Sequence, residues 1–138
     1  MNRGVFLLII LGVALCAGAA ADDRQAHINY MLHCQGCHTP DGSGVADKVP
    51  ALKGFMGNFL RVEGGREFLI QVPGAAQSAL SDAELAELTN WMLSNFSASQ
   101  APENFKPYGE KEVARLREHA IIDVAGVRAE LLGRMVLP

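Results

Sequence analysis

Two cysteines three apart, with a histidine directly after the second, constrain this chain more than any other feature: Cys34-Gln35-Gly36-Cys37-His38. A close cysteine pair serves a redox dithiol, half of a zinc site, or covalent attachment of a haem. The rest of the chain must choose among them.

A third cysteine, Cys16, lies within residues 1–21. There Arg3 gives a positive start, Val5 to Leu15 an apolar run, and Ala19-Ala20-Ala21 small residues for cleavage. That is the pattern of a secretory signal peptide. The run is short for a lasting membrane span, so cleavage after Ala21 is expected, with a retained N-terminal anchor as the alternative. Bulky Leu15 before Cys16 argues against lipid modification of that cysteine.

Cleavage removes Cys16 and Arg3, leaving one cysteine pair, 11 basic and 15 acidic side chains, and a net charge of −4 over residues 22–138. A single pair is no disulfide framework. Mild acidity without a basic run excludes nucleic acid and anionic membrane surfaces as natural partners. The charge is uneven: residues 22–99 carry five basic and nine acidic side chains, residues 100–138 six of each. Ordinary solvated surface accounts for this, and steering toward a positive partner is the sharper alternative.

A zinc site needs four ligands, usually from two clusters. Cys34, Cys37 and His38 have no second cluster, and His119 stands alone far downstream. A thioredoxin-type dithiol opens a helix in a βαβ setting, whereas here a helical segment precedes the pair and Gly-rich loop follows. Haem attachment fits each feature. Two thiols add to the two vinyl groups of the porphyrin, two intervening residues span that separation on a helical turn, and the next residue lies under the iron as an axial nitrogen. One covalent haem c, with its iron held by His38, is the expected cofactor.

The pattern along the chain is helical with much loop. Asp22-Asp23 can cap a helix running to about Leu32. Residues 39–54 are rich in Gly, Pro and Asp and read as loop. Phe55 to Leu60 make a turn of helix, and Gly64-Gly65 breaks the chain. Arg66 to Val72 follow as a helix with Phe68, Leu69 and Val72 inward, and Pro73-Gly74 is expected to break it. Ser81 with Glu84 three residues later forms a capping box. Leu85, Leu88, Trp91, Met92 and Phe96 then recur at helical spacing. After a linker over 97–107, helices are expected over 110–118 and 123–135. The fold class is all-α: a haem domain over 22–99, then a linker and C-terminal helical extension over 100–138. A lobe of 78 residues with this much loop is short of core and needs a cofactor to fill it.

The chain resembles the small bacterial class I cytochromes c over about residues 23–98. The resemblance rests on the N-terminal helix, the Cys34 to His38 motif, the Asp41-Gly42-Ser43-Gly44 turn, Val49-Pro50-Ala51-Leu52-Lys53-Gly54, and the capped helix holding Trp91. It implies that the Pro50 carbonyl accepts from His38 Nδ1, fixing the tautomer. It also implies that Trp91 packs the last core helix on the first, and that Leu88 and Met92 line the haem. The extension looks like one found in a subgroup of periplasmic cytochromes. It would cover the haem lobe with Val113, Leu116, Ile121, Val124, Val127, Leu131 and Leu132 inward, or else serve as a docking surface.

One departure concerns the sixth iron ligand. The family places a methionine on the loop before the last core helix, but Gln71 to Leu80 contains neither methionine nor histidine. Met31 and Met92 read as core, and Met135 lies almost at the end. Met56, near glycines in Lys53-Gly54-Phe55-Met56-Gly57-Asn58, is the candidate sixth ligand, ahead of Met92 or none. His27, His33 and His119 read as surface or capping residues.

These features imply an exported, periplasmic one-electron carrier rather than an enzyme. By family analogy its redox partners would be a dehydrogenase donor and a cytochrome or oxidase acceptor. The rivals are a five-coordinate haem sensor or weak peroxidase, and a cytochrome subunit fixed to an oxidoreductase complex.

Overall fold

The computed structural model describes residues 22–136, so the signal peptide expected over 1–21 lies outside the described residues. Among the described residues no helix is long and apolar enough to cross a membrane. The fold is all-α. Its one β feature among the described residues is an isolated antiparallel bridge between Val45 and Val49.

Helix α1 covers residues 22–33, and α2 is the single turn Gln35–His38. After the loop comes a 3-10 helix, Met56–Arg61, then α3 at Gly65–Gln71 and α4 at Pro73–Ala76. The long helix α5 is Asp82–Phe96. The extension supplies α6, Glu110–Arg117, and α7, Val124–Arg134.

Local chemistry fixes most of these ends. Ser81 accepts from the Glu84 amide, and the Glu84 carboxylate accepts from Ser81 N at 2.8 Å, completing the expected capping box of α5. Gly64 turns the chain into α3 at φ 83°, a conformation glycine adopts without penalty. Pro73, expected to break the chain, also starts α4, because a proline at the first helical position gives up an amide that has no partner anyway. In α6, Glu110 and Glu112 open the helix and Arg115 and Arg117 close it, matching charge to the helix dipole. Asp123 caps α7 through Oδ1, which accepts from Gly126 N at 2.9 Å.

The core is shared across the chain. Tyr30 of α1, Leu85, Leu88 and Leu93 of α5, and Tyr108, Val113 and Leu116 of the C-terminal segment form one buried cluster. Each such side chain contributes roughly 1.5–3 kcal/mol by leaving water. Ile70 is fully buried there too, although the sequence pattern places Phe68, Leu69 and Val72 inward instead. A second cluster sets Leu131 of α7 against Phe59 and Phe68, whose rings stack at 4.9 Å. All seven apolar residues expected inward from the extension fall in one cluster or the other.

Candidate functional site

The site starts where α1 ends. Cys34 N still donates to Tyr30 O at 2.9 Å, and His38 N donates to Cys34 O at 3.0 Å. One helical turn therefore carries Cys34, Cys37 and His38 at i, i+3 and i+4, which puts all three side chains on one face. Both thiols are free, Cys34 half-buried and Cys37 exposed. A Cβ at Gly36 would meet nothing within 4 Å, so the space beside the turn is open.

The His38 ring is fixed from below. Its Nδ1 lies 3.1 Å from Pro50 O. A carbonyl can only accept, so Nδ1 carries the proton and Nε2 keeps its lone pair. Burial lowers the His38 pKa, against a smaller opposing effect of the Pro50 hydrogen bond, and so favours the neutral, ligating form. The Cys34 thiol is pushed up to about 11, mainly by burial and then by neighbouring Cys37. A reactive redox dithiol needs the opposite shift, toward the thiolate.

The loop over 39–54 brings Pro50 back beneath His38. Thr39 stands at φ 65°, a left-handed conformation rare for a β-branched residue. Tyr30 Oη donates to its carbonyl at 2.6 Å, and its Oγ1 donates to Asp41 Oδ1 at 3.0 Å. Asp41 also accepts from Ser43 N at 3.1 Å and Lys53 Nζ at 3.2 Å. Hydrogen bonds from Ser43, then Lys53 and Thr39, hold that carboxyl well below the usual carboxylate range. Gly44 N donates to His38 O at 3.0 Å, and Leu52 N and Lys53 N both donate to Gly42 O at 2.8 and 3.0 Å. The tip of the loop thus folds onto its own base.

Aromatic rings tie α1 to α5 behind the turn. Trp91 stacks on His27 at 5.2 Å and meets Tyr30 at 5.6 Å, and Phe96 meets Tyr30 edge-on at 5.0 Å. Trp91 therefore joins the two helices as the resemblance implies. His27, expected at the surface, is exposed but also covers the indole.

Two relatives decide the family. A Cytochrome c-552 of Thermus thermophilus is 29% identical over 136 residues, spanning 85% of this chain and 87% of the relative. A second Cytochrome c-552 of Thermus thermophilus is 30% identical over 102 residues, 61% of this chain and 78% of the relative. The chain belongs to the small bacterial class I cytochromes c. No family model matches it.

The residues of this cytochrome c fit its prosthetic group. Two unbridged thiols and an imidazole with a free Nε2 face one way from one turn. Leu88 and Met92 of α5 are buried in the cluster against which Cys34 and Leu52 pack, and Met56 is buried with them. Met56 N donates to Leu52 O at 2.9 Å, so Met56 sits about one turn beyond the Pro50 stretch.

The sequence reading missed two arginines that fasten the C-terminal extension to the rest of the chain. Arg66 pairs with Glu112 through Nε and Nη2 at 2.6 and 2.8 Å and lies 4.0 Å over the Tyr108 ring. Arg117 reaches the turn before α5. Both arginines act about 40 positions from their partners, and no local pattern marks them.

Proposed function

We propose that the chain carries one haem c, joined by thioethers to Cys34 and Cys37 and held through iron by His38, and works as a one-electron carrier in the periplasm after signal cleavage. Its partners would be a periplasmic dehydrogenase as donor and a cytochrome or oxidase as acceptor. A bound haem supplies reversible one-electron chemistry between ferric and ferrous iron. The chain's own residues orient and insulate it. Pro50 O holds the His38 ring in one tautomer and raises its basicity as a ligand. Leu88 and Met92 offer an apolar lining that excludes water, and Met56, buried with them, would be the candidate sixth ligand. No side chain acts as acid, base or nucleophile. The observation that carries this reading is the His38 Nδ1–Pro50 O hydrogen bond on the same turn as two unbridged thiols.

A free carrier is favoured over a fixed subunit because Tyr108, Val113, Leu116 and Leu131 of the extension are buried within the chain itself. A second reading, a five-coordinate haem open to small ligands, draws on the lack of methionine and histidine over 71–80 and on the position of Met56 so soon after Leu52.

Mass spectrometry of the exported protein tests the core of the proposal. The wild type should gain the mass of one haem, and a Cys34→Ala/Cys37→Ala variant should gain none; a wild type without that mass sinks it. Spectra with and without carbon monoxide separate the two readings. Low-spin ferric protein whose long-wavelength band disappears in Met56→Ala supports the carrier. High-spin iron with rapid carbon monoxide binding supports the open site.

A further inference from the structure

Residues 71–80 are fastened from the far end of the chain. Their Leu80 is buried, and Ala75 packs with it in the same core that Cys34, Leu52 and Met56 share. Gln71 O, at the start, accepts from Ile121 N at 2.9 Å. At the end, Arg117 in the last turn of α6 takes three main-chain carbonyls. Its Nε donates to Ala76 O at 3.0 Å, Nη2 to Ser78 O at 2.7 Å and Nη1 to Leu80 O at 2.7 Å. Nη1 also donates to Asp82 Oδ1 at 2.9 Å. Alternate carbonyls therefore converge on one planar cation whose side chain is only 16% exposed. Such charge-assisted bonds are stronger than neutral ones, and a lysine has no matching planar fork.

We propose that Arg117 is a positioning residue for the haem pocket: it pins residues 76–80 as a wall of that pocket, in a segment with no methionine or histidine to anchor it through iron. The proposal rests on the haem reading above. Without the guanidinium, three carbonyls lose their donor, the wall loosens, and a small ligand reaches the pocket more easily.

The test is an imidazole titration of the ferric, haem-loaded protein followed by absorbance, in wild type, Arg117→Gln, Arg117→Lys and Arg66→Gln. Arg66 latches the same helix through Glu112 and the Lys106 carbonyl but touches no carbonyl of 71–80. Arg117→Gln should bind imidazole about tenfold more tightly. Arg117→Lys should fall between, at about threefold. Arg66→Gln should stay within about twofold of wild type although it too unfolds at lower denaturant. Wild-type affinity in Arg117→Gln, or an equal shift in Arg66→Gln, overturns the proposal. Should Arg117→Gln not be recovered with haem, Arg117→Lys decides alone: tighter binding supports the proposal and unchanged binding overturns it. Mass spectrometry of the wild type comes first, since absence of covalent haem defeats the reading as well as the proposal, whereas a null titration of loaded protein defeats the proposal only.

Discussion

Residues 39–54 and residues 71–80 both pack on the core that Cys34 joins, and they are held in different ways. The first loop finds its partners nearby: Thr39, Asp41, Ser43 and Lys53 bond one another, and Gly42 O takes two amides from 52–53. The second takes its fastening from Arg117 and Ile121. Closing a short loop sacrifices little chain entropy, and each doubling of its length costs only about 0.6 kcal/mol more. Both arrangements are therefore within reach of a small domain. What differs is dependence: the first loop is held by its own residues, whereas the second adds to its local α4 turn three carbonyls that are gathered only once α6 is docked.

The largest break in this contrast should come from Gly44→Ala. Gly44 stands at φ 68°, and an added Cβ would collide with Val49 O and lie 2.8 Å from Pro50 O. We expect a loss of at least about 3 kcal/mol in urea unfolding, together with loss of the Pro50 register beneath His38. Leu116→Ala attacks the other side. Leu116 is buried in the common core, so about 2–4 kcal/mol should be lost. Amide exchange should rise over 71–80 while the amides of 42–53 keep their protection; equal loosening of both segments would erase the contrast.

Tyr30→Phe is gentler. It removes the 2.6 Å bond from the buried hydroxyl to Thr39 O and should cost about 1 kcal/mol, felt in the first loop alone. The smallest effect is one of pH. The Arg66 guanidinium bonded to Glu112 holds its carboxyl below the usual value of 4.5. A depressed folded pKa stabilises the protein above the unfolded value, and that contribution is lost as pH falls through the folded one. Urea midpoints measured from about pH 6 down to about pH 3 should therefore fall more steeply in wild type than in Glu112→Gln, by up to about 1 kcal/mol for so partly exposed a pair.

The same contrast explains what could be read in the sequence. The cysteine turn, the Ser81–Glu84 box and the helices near 110–118 and 123–135 each depend on residues within a few positions of one another, and each is found where the pattern puts it. Pro50 lies twelve positions from His38, and family resemblance rather than spacing points to it. Tyr108 falls just past the expected linker with no pattern to mark it, yet it is buried, with its hydroxyl donating to Arg66 O at 2.8 Å. Nothing near Arg117 distinguishes it from a surface arginine closing an amphipathic helix. Its role exists only because α6 packs beside the turn that precedes α5. Ile70 shows the same limit in the core: helical periodicity alone does not separate it from Leu69, because two clusters meet across α3.

The chain distance between Arg117 and residues 76–80 also sets an order of assembly. A chain made from its N-terminus presents the cysteine turn and its self-held loop first. The guanidinium that closes over Ala76, Ser78 and Leu80 arrives about forty residues later. Until then those three carbonyls lack the donor that gathers them. The last quarter of the chain thus completes, late, a segment made well before it.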